Sequence, residues 1–195
     1  MNVGVSIMNK TKKAIFEAAI SIFSTSDYNG ATVDEIAAKA NVAKGTLYYN
    51  FKNKEEIFNF VINKGLEIWN EKLTELEKLK EEPIEKLKKL FRMQFELLYE
   101  NRAFFKMVMS QLWGKETRQD ELRGKINQYI EGIERILKEA VSKNQIRECD
   151  VSLLAHSLFG SLISTSLYEI SKDKEFEVNR VIEEITLNIL EGIIK

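Results

Sequence analysis

Lys44, Gly45, Thr46, Tyr48 and Tyr49 sit together in one short stretch and have the types and spacing to touch nucleic acid. A helix that enters a DNA major groove reads base edges from its first turn, so that turn must be slim and polar. Lys44 can reach a guanine edge or a phosphate, and Thr46 a phosphate or a thymine methyl. Gly45 weakens a helix but permits close backbone approach. The tyrosine hydroxyls suit phosphates, which fix register rather than sequence. Asn50 and Lys54 follow closely, and Thr32 stands upstream at a helix N-terminus, where backbone N–H groups favour an anion. The expected footprint has Lys44, Gly45, Thr46 and Tyr48 in or at the groove, with Thr32, Tyr49, Asn50 and Lys54 on flanking phosphates.

The elements that hold these residues are legible on either side. Thr32-x-x-Glu35 is a capping box that starts a helix. Ile36, Ala37 and Ala40 give that helix a narrow apolar face, and small Ala37 lets a second helix cross closely. Asn41 tolerates the left-handed backbone of a sharp turn. Val42 plugs the corner, and a second helix runs from Ala43 to Asn50 with Leu47 and Phe51 facing inward. Asn53 with Glu56 three residues on is a cap for a third, longer helix. Together these make a helix-turn-helix whose outward face carries the basic and aromatic residues.

The segment Thr32–Glu56, TVDEIAAKANVAKGTLYYNFKNKEE, resembles the DNA-binding signature of the TetR family of bacterial transcriptional repressors. That signature runs as a capping Thr, D-E-I-A, a turn, K-G-T-L-Y and F-x-N-K-E, and nearly every slot is filled. Two positions depart from it: Asn41 stands where Gly is usual, and Ala43 where Ser or Thr often caps the recognition helix. Loss of that cap costs roughly 1 kcal/mol. The resemblance is concentrated in residues 10 to 60. Beyond them, only helix order, helix lengths and the G-SLISTS-L stretch are similar.

Composition is consistent with such a protein without announcing it. The chain has 195 residues, 29 basic and 30 acidic, for a formal net charge of −1. DNA binding must therefore come from local placement of Lys10, Lys12, Lys13, Lys39, Lys44, Lys52 and Lys54, beside acidic Asp34, Glu35, Glu55 and Glu56. A single cysteine, Cys149, excludes an internal disulfide and fits a reducing cytoplasm. A single histidine, His156, excludes paired-His metal sites, so neither a metal nor a cofactor is expected. No run reads as a transmembrane helix and no signal peptide is visible, so no membrane partner is expected. Residues 1 to 7 read as an arm or an upstream start, since Met8 heads MNKTKK.

The fold class is all-α, nine helices in outline, with no strand-like alternation. A three-helix DNA-binding domain at 1–53 precedes a larger helical effector-binding and dimerisation domain at 54–195. Ile15, Ala18, Ala19, Ile22 and Phe23 stripe the first helix, which breaks at Ser26–Gly30. Ile57, Val61, Gly65, Ile68 and Leu76 mark the long helix from Lys54, and Pro83 opens the next. Phe104 to Trp113 is apolar on nearly all sides, predicting a buried helix ended by Gly114. A long helix then stops at Asn144, Asp150 caps the next, and Asp173 caps a last one from Lys174 to Ile194.

Two further sites are expected on the larger domain. Trp69, Phe91, Phe95, Phe105, Met109, Trp113, Tyr129 and Phe159 exceed what one short buried helix needs and predict an effector pocket, with Gln94 and Tyr129 orienting a polar group. Without a cationic cluster there, the ligand is a small hydrophobic or amphipathic molecule, such as a long-chain acyl compound. Gly160, Ser161, Ser164 and Thr165 let a helix approach closely, flanked by Leu158 and Leu162. With Val178, Val181, Ile182, Ile185, Ile189 and Ile193 on the last helix, they predict a homodimer built as a four-helix bundle.

The resemblance implies a repressor released from a palindromic double-stranded DNA operator when an effector shifts the long connecting helix. A helical enzyme is disfavoured, because the chain has no nucleophile–base pair, metal cluster or phosphate-binding glycine loop. The alternative is a helical protein-interaction scaffold without specific DNA binding. Such a scaffold has no need of Lys44-Gly45-Thr46 at the front of an exposed helix.

Overall fold

The computed structural model describes residues 8–113, 115–171, 177–190 and 192. The expected arm at 1–7, the stop at Gly114, the cap at Asp173 and the interface residue Ile193 lie outside them. The described elements are all helices: α1 (Lys10–Gly30), α2 (Val33–Lys39), α3 (Lys44–Asn50), α4 (Lys54–Glu77), α5 (Pro83–Glu100), α6 (Arg102–Ser110), α7 (Thr117–Ser142), α8 (Val151–Ser171) and α9 (Val178–Ile185). The chain continues from α9 in a π-helical stretch, Thr186–Leu190. Two compact units result, the first made of described residues up to Trp69 with Asn101–Lys125, the second of Asn70–Glu100 with described residues from Ile126 on.

In the first unit α1 packs on α2 and α6, and α2 packs on α3. The expected stripe is in place: Ile15, Ala18, Ala19 and Phe23 are buried on α1, and Ile36, Ala37 and Leu47 on the two short helices. Aromatic edges knit α1 to α4, with Phe16 against Phe60 at 6.1 Å and Phe23 against Phe58 at 5.3 Å between ring centroids. Gly65 on α4 is required by a close approach. A Cβ built there would lie 2.1 Å from the Phe104 ring of α6.

The turns follow their residues. Asn41 has φ 52°. The Val42 N–H donates to the Ala37 carbonyl at 3.1 Å and the Asn41 N–H to the Ala38 carbonyl at 3.1 Å. That pair of bonds is a Schellman motif, with Asn supplying the left-handed residue that glycine usually supplies. Asn144 does the same for α7 at φ 58°. Asp150 accepts from the Leu153 N–H at 3.0 Å and caps α8 as expected. The break in α1 falls at Asp27, φ 54°.

In the second unit α5 packs on α8 and α9. Lys86 is buried on α5, where its ammonium donates to the Glu77 carbonyl at 3.0 Å and to Glu139 at 3.2 Å. A buried cation survives there because it caps the carbonyl end of α4 and is also ion-paired.

Two expectations are corrected. The helix of Phe104 is amphipathic rather than buried all round. Phe104, Phe105, Met107 and Val108 are interior, but Ala103 and Lys106 are exposed and the helix stops at Ser110. Val151–Glu169 does reach the length and mean hydropathy, 1.3, of a membrane-crossing helix. Small Gly, Ala and Ser residues among the leucines hide this from a count of bulky apolar side chains. Only 22 % of that stretch is buried.

Candidate nucleic-acid interface

The capping box at Thr32 forms in full. The Glu35 N–H donates to the Thr32 hydroxyl at 3.2 Å, and Glu35 Oε2 accepts the Thr32 N–H at 2.9 Å and its O–H at 2.7 Å. The Thr32 hydroxyl and N–H together hold the Glu35 carboxyl below its ordinary range. The α2 N-terminus thus already carries an internal anion, and a phosphate near Thr32 must share those donors with Glu35.

The α3 helix presents a slim, solvated front. Ala43 precedes it without a side-chain cap. A Cβ built on Gly45 would meet nothing within 4 Å. No contact inside the protein requires glycine at that position. Thr46 is exposed, and Tyr48 and Tyr49 are 46 % and 90 % exposed. On the inner face Leu47 is buried and Phe51 packs on Phe60 at 5.0 Å between centroids.

Lys44 is paired rather than free. Its ammonium lies 2.7 Å from one oxygen of Asp34 and 2.8 Å from the other. The hydrogen bond to Asp34, and then its charge, raises the lysine pKa. This partner was missed in the sequence. The signal was present in the D-E-I-A slot, ten residues upstream, but only the helix-turn-helix crossing brings it to Lys44. Asn50 is tied back to its own helix, donating to the Thr46 carbonyl at 2.8 Å.

Lys54 requires a correction. Expected on a phosphate, its ammonium instead sits among three carbonyls, those of Tyr28 at 2.8 Å, Ala31 at 3.0 Å and Asn29 at 3.3 Å. It also lies 4.7 Å from the Tyr28 ring centroid. The unpaired carbonyls at the end of α1 attract a cation, so Lys54 acts as a structural clamp. Arg118 approaches the same ring at 4.0 Å.

The residues assigned to an effector pocket fall in both units. Trp69, Phe105 and Met109 belong to the first, the first two buried and Met109 partly so. Trp113 does not take its expected place. It is 92 % exposed and lies beyond the end of α6 at Ser110. It borders a shallow polar cleft of about 350 Å3 with Tyr28, Gln111, Arg118 and Gln119. In the second unit, Phe91, Gln94, Phe95 and Tyr129 are buried, and Phe159 is half-buried. The Tyr129 hydroxyl donates to Gln94 Oε1 at 3.3 Å, and its ring lies 6.1 Å from that of Phe159.

The residues assigned to a dimer interface divide into two groups. Leu158, Leu162, Val181, Ile182 and Ile185 are buried within their own chain. Leu158 and Leu162 are covered by their own chain, whereas Val181 and Ile185, though mostly covered, also line the groove between α8 and α9. Ser161, Thr165 and Ile189 keep partial exposure and line an open groove between α8 and α9. Gly160, Ser164, Tyr168 and Asn188 share that groove, whose volume is about 820 Å3.

Comparison with known proteins bears on the whole chain. Residues 15–61 match the family described as bacterial regulatory proteins, tetR family, and residues 80–167 match a tetracyclin repressor-like C-terminal domain. The fatty acid metabolism regulator protein of Bacillus subtilis is 30 % identical over 186 residues, spanning 92 % of this chain and 93 % of that one. A solved Clostridium perfringens structure, described as a candidate fatty acid metabolism regulator, is 84 % identical with a TM-score of 0.88, covering 93 % of this chain and 99 % of its own. The transcriptional regulator FadR of Bacillus subtilis, solved in complex with stearoyl-CoA, is 28 % identical with a TM-score of 0.76, covering 92 % and 98 %.

Proposed function

The chain belongs to the TetR family of bacterial regulatory proteins, and we propose that it is a dimeric repressor released from a palindromic operator by a hydrophobic acyl effector. That it is a DNA-binding transcriptional regulator and not an enzyme follows from the family. Its place of work is where the DNA is, the cytoplasm. The proposal adds the footprint, the ligand and the assembly.

The observation that carries the DNA reading is the open front of α3. Gly45 faces empty space, Thr46 is exposed, and Tyr48 and Tyr49 project outward. Lys44, Gly45, Thr46 and Tyr48 enter or border the major groove, while Thr32, Tyr49 and Asn50 flank it. On binding, Lys44 exchanges Asp34 for a DNA acceptor. Genomic fragments captured by the protein and sequenced test this reading. They should converge on a palindrome whose half-sites lie about 34–36 Å apart. Capture without sequence preference would leave only the scaffold alternative.

An acyl effector is supported by two things. The related Bacillus subtilis regulator was solved with stearoyl-CoA. This chain, for its part, buries Phe91, Phe95 and Tyr129 in its second unit, with Tyr129 bonded to the equally buried Gln94. The ligand acts by binding one conformation better than the other, and 1–3 kcal/mol of coupling is typical. Release of captured DNA by stearoyl-CoA, and not by an equally charged short-chain thioester, is the expected result.

A homodimer is supported by the apolar helix α8, which leaves most of its surface uncovered. Small residues line the groove beside it, so that a second helix can come close. The interface lies along the groove formed by Gly160, Ser161, Ser164 and Thr165 with Val181, Ile185 and Ile189.

A further inference from the structure

Gln94 on α5 is 0 % exposed, and its amide Nε2 is buried with no hydrogen-bond partner. Its other polar atom, Oε1, is engaged by the Tyr129 hydroxyl at 3.3 Å. A dry amide donor is uncommon in native proteins, because it gives up water and receives nothing in return. Phe91 and Phe95 flank Gln94 in sequence on the same helix and are equally buried, and Phe159 stands against Tyr129. Burial also pushes the Tyr129 phenol well above its ordinary pKa, so this environment penalises charge.

We propose that the free N–H of Gln94 reads an uncharged carbonyl oxygen of the bound acyl compound, which makes Gln94 the residue that selects a thioester over a ligand lacking that oxygen. The inference rests on the acyl-effector reading above and deepens it. A carbonyl supplies the acceptor that Nε2 lacks, and the phenylalanines take the chain. A free carboxylate would supply an acceptor too, but it would bring a charge into a site that offers a neutral amide and a neutral phenol. A site built around a buried donor rejects analogues without the acceptor more strongly than an apolar pocket rejects a missing methylene, because the donor is then left unpaired.

The test compares stearoyl-CoA with S-octadecyl-CoA, in which a methylene replaces the carbonyl and chain and headgroup are kept. Equilibrium binding to the full-length protein is followed by tryptophan fluorescence. The wild-type protein should prefer the thioester by about tenfold, the worth of one net hydrogen bond in a dry site. Gln94→Leu should bind both ligands alike, with the loss confined to the thioester. Should that variant not fold, Gln94→Asn, which withdraws the amide by one carbon, must narrow the preference. Equal affinity of the wild-type protein for the two ligands would overturn the assignment of Gln94 and leave the acyl effector standing, as would a preference that survives in the folded variant. If the wild-type protein binds neither, the acyl reading falls and this inference falls with it.

Discussion

The Lys54 ammonium donates to the Tyr28 carbonyl at 2.8 Å, which ties the first turn of α4 to the last turn of α1. The same ammonium reaches the carbonyls of Asn29 and Ala31. Its removal should therefore cost stability rather than a phosphate contact. Lys54→Met should destabilise the protein by about 1–2 kcal/mol, the worth of hydrogen bonds to a charged group that is partly solvated. The melting temperature should fall by a few degrees. The salt dependence of operator binding should stay as it is. A variant that melts normally but loses about one unit of salt slope would return Lys54 to the DNA.

Asp34 holds Lys44 at 2.7 Å in the free protein, so in the proposed footprint it competes with DNA for the lysine. Lys44→Ala should weaken operator binding and lower the salt slope by about one unit. Asp34→Asn should strengthen binding several-fold, because it frees the lysine and removes a like charge from the phosphates. In the Lys44→Ala background most of that gain should disappear, which a double-mutant cycle reads directly. Additive effects of the two substitutions would mean that the pair does not act as a switch.

Gly45 offers a separation of stability from function. It lies inside α3 with open space where a Cβ would be. Gly45→Ala should stabilise the fold by about 0.5–1 kcal/mol, the ordinary cost of a helical glycine. It should nevertheless weaken operator binding, because the added methyl stands between the backbone and the groove. Thermal melts and fragment binding on one preparation decide the matter, and tighter binding by the alanine variant would contradict close approach.

The opposite holds at Gly65, where a Cβ would lie 2.1 Å from the Phe104 ring. Gly65→Ala should destabilise the first unit by about 1–3 kcal/mol through overpacking. Phe104→Leu, which shortens the intruding side chain, should recover part of that loss in the double variant. No recovery would mean that the strain is relieved elsewhere along α4.

Local chemistry was readable in the sequence, and distant pairing was not. Thr32, Asn41, Asp150 and Asn144 each act within five residues of themselves, and each cap or turn forms as its residue type dictates. The apolar stripe of α1 likewise follows from the 3.6-residue period. Lys54 was misplaced because its partners lie 23 to 26 residues away, and a lysine one turn behind a recognition helix looks the same whether it faces a phosphate or a carbonyl. The apolar residues of α8 and α9 are ambiguous for a related reason. A wide apolar stripe shows that a helix is covered, but not whether its own chain or another covers it. Small Gly and Ser residues, which bury little area, mark the open groove, while Leu158 and Leu162 mark the core.

That distinction fixes how the dimer is tested. Ile185 is buried within its own chain and also lines the groove, so a charge placed there would disturb folding and assembly together. Ser164 is exposed and lines the α8–α9 groove. Ser164→Arg should leave the helical content of the subunit near that of the wild-type protein, because the new side chain points into open groove and disturbs no core contact. It should block the approach of a second helix, and an obligate interface of this kind, usually about 2,000 Å2 or more, does not survive a large charge at its centre. Sedimentation at micromolar concentration should then give a monomer where the wild-type protein gives a dimer. Operator affinity should collapse although no DNA-facing residue has changed, because a single recognition helix cannot span two half-sites. A wild-type monomer that binds its site with full affinity would remove both the interface and the two-groove arrangement.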